Sequence, residues 1–179
     1  MGINIEVIDR NEGLGLLIVD SLVDMNFLPP LYITSVQNMV SRVKGLLGSL
    51  KMDRFYILGH GGPGYQAVGA GTHHDGTGNL SLQLGPDGEL LGDGKTYLPG
   101  LRSCLAEGAV VTLGGCQVGV SPAGPALIAK ISQALGNATV RAGTDDQGPR
   151  PGLQGNIVTC TGTVCGTGST SWTPITSPF

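Results

Sequence analysis

The chain has 179 residues, a formal net charge of −3, 40% hydrophobic residues and 13% charged ones. That length suits one domain with a sizeable core, and the charge balance lacks the basic footprint of a nucleic-acid binder. No run of eighteen or more apolar residues occurs, so no membrane span is expected. The 31 glycines are dispersed without a collagen-like period and read as tight turns and loops. The start, Met1-Gly2-Ile3-Asn4-Ile5-Glu6, has neither the basic residues nor the apolar core of a signal peptide. Glu6 also stands where a myristoylation signal wants Ser or Thr. The expectation is a cytoplasmic protein, with signal-less export or delivery as the alternative.

In chain order, Ile3 to Ile8 alternates apolar and polar residues and reads as an edge strand or hairpin arm. Leu16-Leu17-Ile18-Val19 is fully apolar and reads as a central strand ending at Asp20-Ser21. Leu31 to Thr34 suggests a second short strand. Val36, Met39, Val40, Val43, Leu46 and Leu47 follow helical spacing, capped by Thr34 or Ser35. A strand over Arg54–Leu58 follows, so that strand, helix and strand form a right-handed parallel crossover. Gly61 to Lys95 reads as glycine-rich and irregular, except that Ser81-Leu82-Gln83-Leu84 and Glu89-Leu90-Leu91 flank a hairpin turn at Gly85-Pro86-Asp87-Gly88. His73 and His74 fall in it and read as a solvated loop.

Leu98 to Leu105 reads as a helix, and Ala109 to Leu113 as a strand. Ser121-Pro122 opens a helix, with Ser as cap and Pro at the first position, that stops at Gly136. Ala138–Ala142 and Asn156–Thr161 read as strands, the latter paired with Thr163-Val164-Cys165. The tail, residues 167–179, is Ser/Thr/Gly/Pro-rich, and residues 1–166 read as one domain.

Of four cysteines none forms a CxxC pair, and with three histidines in the chain a zinc site is disfavoured; no metal or other cofactor is expected. Cys160 and Cys165 bracket a glycine turn. They read as reduced and buried in a cytoplasmic protein, with a disulfide across the turn as the alternative.

Two runs carry the chemistry. Arg54-Phe55-Tyr56-Ile57-Leu58-Gly59-His60-Gly61-Gly62 ends in glycines around a histidine. Ala109-Val110-Val111-Thr112-Leu113-Gly114-Gly115-Cys116 ends in glycines before a cysteine. Continuous apolar runs read as buried parallel strands, and working groups in such sheets sit beyond the strands' carboxyl ends. Side by side, the two strands would present a thiol and an imidazole, a cysteine nucleophile and its base. The amides of Gly61 and Cys116 could donate to an oxyanion. The helix after Cys116 could favour its thiolate. Taken singly, Cys116 also reads as a small buried hydrophobe and His60 as a loop histidine.

A strand ending in His60-Gly61, a helix, a strand ending in Gly115-Cys116 and a further helix together resemble the caspase-like cysteine peptidases. That clan includes caspases, metacaspases, gingipains and the self-cleaving domains of large bacterial toxins. The chain is most similar to the caspase-like domain found near the start of giant bacterial adhesins. The resemblance covers about Leu17 to Thr161 and includes Ile18-Val19-Asp20-Ser21, Leu58-Gly59-His60-Gly61-Gly62-Pro63-Gly64 and Gly114-Gly115-Cys116-Gln117-Val118-Gly119. Gly124 and Val140-Arg141-Ala142-Gly143-Thr144-Asp145-Asp146 also belong to it. Gly114-Gly115 stands where caspases carry Gln-Ala before the cysteine.

The resemblance implies an α/β fold, a caspase-like three-layer sandwich with a mostly parallel central sheet and helices on both faces. It also implies His60 and Cys116 as a catalytic dyad acting on a peptide or protein substrate. Members that cut after Arg or Lys have acidic residues after an early strand and after the strand beyond the catalytic helix. Asp20 and Asp145 or Asp146 hold such positions and would form a basic-side-chain pocket; otherwise Asp20 caps a turn and Asp145-Asp146 is a solvated loop. A catalytically inactive caspase-like interaction module and an amide hydrolase acting as a bacterial toxin or effector are the other function classes.

Overall fold

A computed structural model describes residues 2–11, 29–71, 76–147 and 153–169. The strand expected over Leu16–Val19, Asp20, His73, His74 and the tail beyond residue 169 lie outside these residues. Seven strands form the main sheet: β1 (Asn4–Asp9), β2 (Leu31–Ile33), β3 (Met52–Leu58), β7 (Leu105–Leu113), β8 (Thr139–Gly143), β9 (Asn156–Thr161) and β10 (Val164–Ser169). Their spatial order is β2-β1-β3-β7-β8-β9-β10. The first five run parallel; β9 is antiparallel to β8, and β10, antiparallel to β9, runs in the direction of the first five. A small antiparallel sheet of β4 (Gly61–Gly62), β5 (Tyr65–Ala67) and β6 (Ser81–Gln83) stands in the segment expected to be irregular, with β6 on the first arm of the expected hairpin, where Leu84 bridges Leu90.

The helices form where side-chain spacing dictates. Helix α1 (Val36–Leu47) buries Val36, Met39, Val40, Val43 and Leu47, and Ser35 caps it, its hydroxyl accepting the Asn38 N–H at 3.1 Å. Helix α2 (Gly92–Tyr97) runs into a 3₁₀ helix over Leu98–Cys104. There Leu98, Leu101 and Cys104 are buried at intervals of three, so the helix expected over this stretch has the repeat of a 3₁₀ helix. Helix α3 (Ala123–Ala134) begins after Pro122, not Ser121; no side chain caps it, and the chain then turns out at Gly136 with φ 76°.

Residues paired across strands share a face, and one face collects the core. Ile5, Phe55, Val111, Val140 and Cys160 are in register, as are Val7, Ile57, Leu113, Ala142 and Val158. They form one cluster with the buried faces of α1, the 3₁₀ helix and α3. All the described helical structure therefore packs on one face of the sheet. The reason is topological. The steps from β2 to β3, to β7 and to β8 all advance in the same direction. Right-handed connections then put every intervening helix on the same side. The step from β1 to β2 goes the other way and passes largely outside the described residues. The expectation of helices on both faces is met on one face here.

The opposite row is polar: Glu6, Tyr56, Thr112, Arg141 and Thr159 are in register. Arg141 Nε donates to Thr112 Oγ1 at 3.0 Å. This corrects the placing of β1. It is no edge strand or hairpin arm but lies between β2 and β3, and its polar residues Asn4, Glu6 and Asp9 are buried with its apolar ones. Alternation marked a two-faced strand and was silent on whether the polar face is covered.

Two further expectations change. Cys160 and Cys165, paired across β9 and β10, form a disulfide, so they are not reduced. Strand β10 continues to Ser169 and takes in the first residues assigned to the tail.

Candidate functional site

β3 and β7 are neighbours, with Tyr56 opposite Thr112 and Ile57 opposite Leu113. Carried past the last pair, that register sets His60 level with Cys116, and adjacent strands lie about 5 Å apart. Both residues are half-buried at the carboxyl edge of the sheet. The Gly114 N–H donates to the Ile57 carbonyl at 2.8 Å, and there the ladder gives way to two loops that stay in contact. A Cβ on Gly115 would lie 2.8 Å from Gly61 Cα and 2.9 Å from the His60 carbonyl oxygen. One on Gly61 would lie 2.8 Å from Gly115 Cα. Glycine at both positions lets the backbones that carry His60 and Cys116 touch.

Gln66 ties these backbones together. It is fully buried; its Oε1 accepts the Gly115 N–H at 2.8 Å and its Nε2 donates to the Ala67 carbonyl at 2.9 Å, reaching the His60 carbonyl at 3.5 Å. A glutamine in the middle of β5 gave no signal in the sequence, because its partners come from β3 and β7.

The third wall is the loop after β8. The Gln117 N–H donates to the Asp145 carbonyl at 2.9 Å and the Gly119 N–H to the Gly143 carbonyl at 2.9 Å. Gln117, with φ 56°, occupies the left-handed region uncommon for a residue with a side chain. Its Nε2 donates to Asp146 Oδ1 at 2.9 Å. The Gln147 N–H approaches Cys116 Sγ at 3.2 Å, and the sulfur lies 3.7 Å from the Gln147 carbonyl oxygen. Asp145 and Asp146 thus stand beside the cysteine loop, and both are exposed. Of the site residues expected from sequence, His60, Gly61, Cys116, Asp145 and Asp146 share this edge, while Asp20 lies outside the described residues.

The carboxylate at the end of an early strand in the described structure is Asp9. It is 1% exposed, and its two oxygens accept the Asn11 and Gly71 N–H groups, each at 2.9 Å. A Cβ on Gly59 would meet Asp9 Cβ at 3.2 Å, so this carboxylate braces the His60 loop from the β1 side. With both oxygens engaged by main chain it is a loop anchor. Nothing in the sequence marks it, because the alternation of β1 fits an edge strand as well as the covered position β1 holds.

The expected help from a helix terminus is displaced. A turn over residues 115–122 separates Cys116 from α3, whose start packs on Val118 and Gly119, and a helix dipole fades beyond its first turn. Among the described residues no group of three His, Cys, Asp or Glu side chains could hold a metal ion. No helix among them is long and apolar enough to cross a membrane. No family model, curated protein or solved structure matches the chain.

Proposed function

We propose that this chain is a cysteine-peptidase-like hydrolase on a caspase-like scaffold, with His60 and Cys116 as its dyad. The observation that supports the reading best is the contact of Gly61 with Gly115 at the ends of two adjacent parallel strands. In this mechanism His60 takes the Cys116 thiol proton and the thiolate attacks a substrate amide carbonyl. The Gly61 and Cys116 amides stabilise the oxyanion. His60 returns the proton to the leaving amine, and water then hydrolyses the thioester. Asp146, oriented by Gln117 beside the cysteine, favours Arg or Lys before the scissile bond.

The disulfide bears on where this happens. Cross-strand disulfides persist in oxidising surroundings and are rare in the cytosol. That favours export or delivery over the cytoplasmic expectation. A positional peptide library, assayed with the native protein and Cys116→Ala, tests the function. Cleavage after Arg or Lys that disappears in Cys116→Ala is expected. Equal cleavage by both proteins would overturn the reading.

A further inference from the structure

We infer that Gln147 sets the reactivity of Cys116, its main chain supplying the thiolate's hydrogen-bond donor and its side chain holding that main chain in place. The inference rests on Cys116 being the nucleophile. Both main-chain polar groups of Gln147 face the sulfur, the nitrogen at 3.2 Å and the carbonyl oxygen at 3.7 Å. A protonated thiol can donate to the carbonyl, and a thiolate can accept the N–H. The nearer group is the donor, and a hydrogen bond to an ionised partner is roughly twice as strong as a neutral one. The nearer contact is thus the one that the thiolate, the reactive form, can accept.

Such a contact helps only if the donor cannot swing away, and the side chain of the same residue prevents that. Gln147 Nε2 donates to the Asp145 carbonyl at 2.6 Å and lies 3.3 Å from the Gln154 carbonyl. Its Oε1 accepts the Gln154 N–H at 2.9 Å. One amide thus joins the chain leaving β8 to the chain approaching β9. The Gln117 N–H, bound to the Asp145 carbonyl, fixes the same turn from the cysteine side. Donor and nucleophile are held by a closed set of bonds from the Gln147 side chain to main chain and from Gln117 main chain to Asp145, and no helix terminus takes part.

The test is the rate of Cys116 alkylation by iodoacetamide in the full chain, followed by peptide mass mapping so that buried Cys104 is scored separately. Gln147→Ala removes the clasp. Gln147→Glu keeps an acceptor for Gln154 but loses both donors. Each variant should slow alkylation about tenfold near pH 7.5 and leave the rate near pH 10.5 unchanged, where an ordinary thiol is already ionised. Unchanged rates near pH 7.5, or an equal loss at both pH values, would overturn the inference, since the second result reports access and not thiolate stabilisation. Should both variants fail to fold, the native protein still decides it. The Gln147 amide resonance should move with pH as Cys116 ionises and stay fixed in Cys116→Ala; a resonance that ignores Cys116 would overturn the inference. Failure to cut any peptide with this dependence intact removes the peptidase and keeps the Gln147 role. Peptide cleavage with alkylation indifferent to Gln147 does the reverse.

Discussion

Gly61 and Gly115 meet backbone to backbone, and a Cβ on either would come within 2.8 Å of the other's Cα. Neither has a positive φ. The requirement for glycine is thus space, set by two loops that leave adjacent strands at the same height. Gly115→Ala should cost about 1–3 kcal/mol through overpacking and should slow Cys116 alkylation as the loops part. Denaturant melts and alkylation rates on the same sample check both; a variant as stable and as reactive as the native protein would contradict this account of the contact.

If the dyad acts as a unit, Cys116→Ala and His60→Ala should each abolish hydrolysis with little change in Tm, since both side chains are half-buried. The double variant should be no worse than either single one, because residues that share one step give non-additive losses. Kinetics on the best library peptide would show it, and additive losses would separate the two residues.

The buried carboxylate of Asp9 holds two main-chain N–H groups, one of them across 62 residues of chain. Asp9→Ala leaves both donors without their acceptor and should destabilise by about 3 kcal/mol. Urea unfolding monitored by circular dichroism measures it. A loss below about 1 kcal/mol would mean that water replaces the carboxylate.

The Cys160–Cys165 bridge closes a loop of sequence separation 5, so its effect on the unfolded chain is small. Reduction should cost about 2 kcal/mol, or about 5 °C in Tm for a chain of this size. Thermal melts with and without reductant give the figure, and a shift above about 15 °C would mean that the bridge holds more than the β9–β10 hairpin.

Asp146 is exposed and already accepts a hydrogen bond from Gln117, so its attraction for a basic side chain is screened. Asp146→Asn should lower the specificity constant for Arg peptides by less than tenfold. A buried pocket would lose far more when one partner of the pair is removed. Competition between Arg and norleucine peptides is the measurement; an unchanged ratio would take Asp146 out of the pocket.

Local chemistry was enough for several elements. The 3.6-residue spacing of Val36 to Leu47 and the Ser35 cap define α1, and the apolar runs ending in His60 and Cys116 mark β3 and β7. Those two runs also named the candidate dyad, because a strand that stops in glycines presents whatever follows. The irregular appearance of residues 61–95 concealed β4 and β5, since strands of two or three residues leave too short a pattern to read, whereas β6 falls on the first arm of the hairpin that Asp87-Gly88 signals.

The tertiary structure alone decided what lies beside what. Strand β1 looks like an edge in sequence because its alternate residues are polar, yet it is covered on both sides. The Cys160–Cys165 bond depends on the pairing register of β9 and β10. Gln66 and Gln147 carry no motif, for a glutamine's amide bonds equally well to water, and only the meeting of distant loops gives each its partners. Periodicity and strand-ending glycines are written in neighbouring residues, whereas the surroundings of a nucleophile are set by main-chain groups that every residue possesses, and their placement follows from strand order and register.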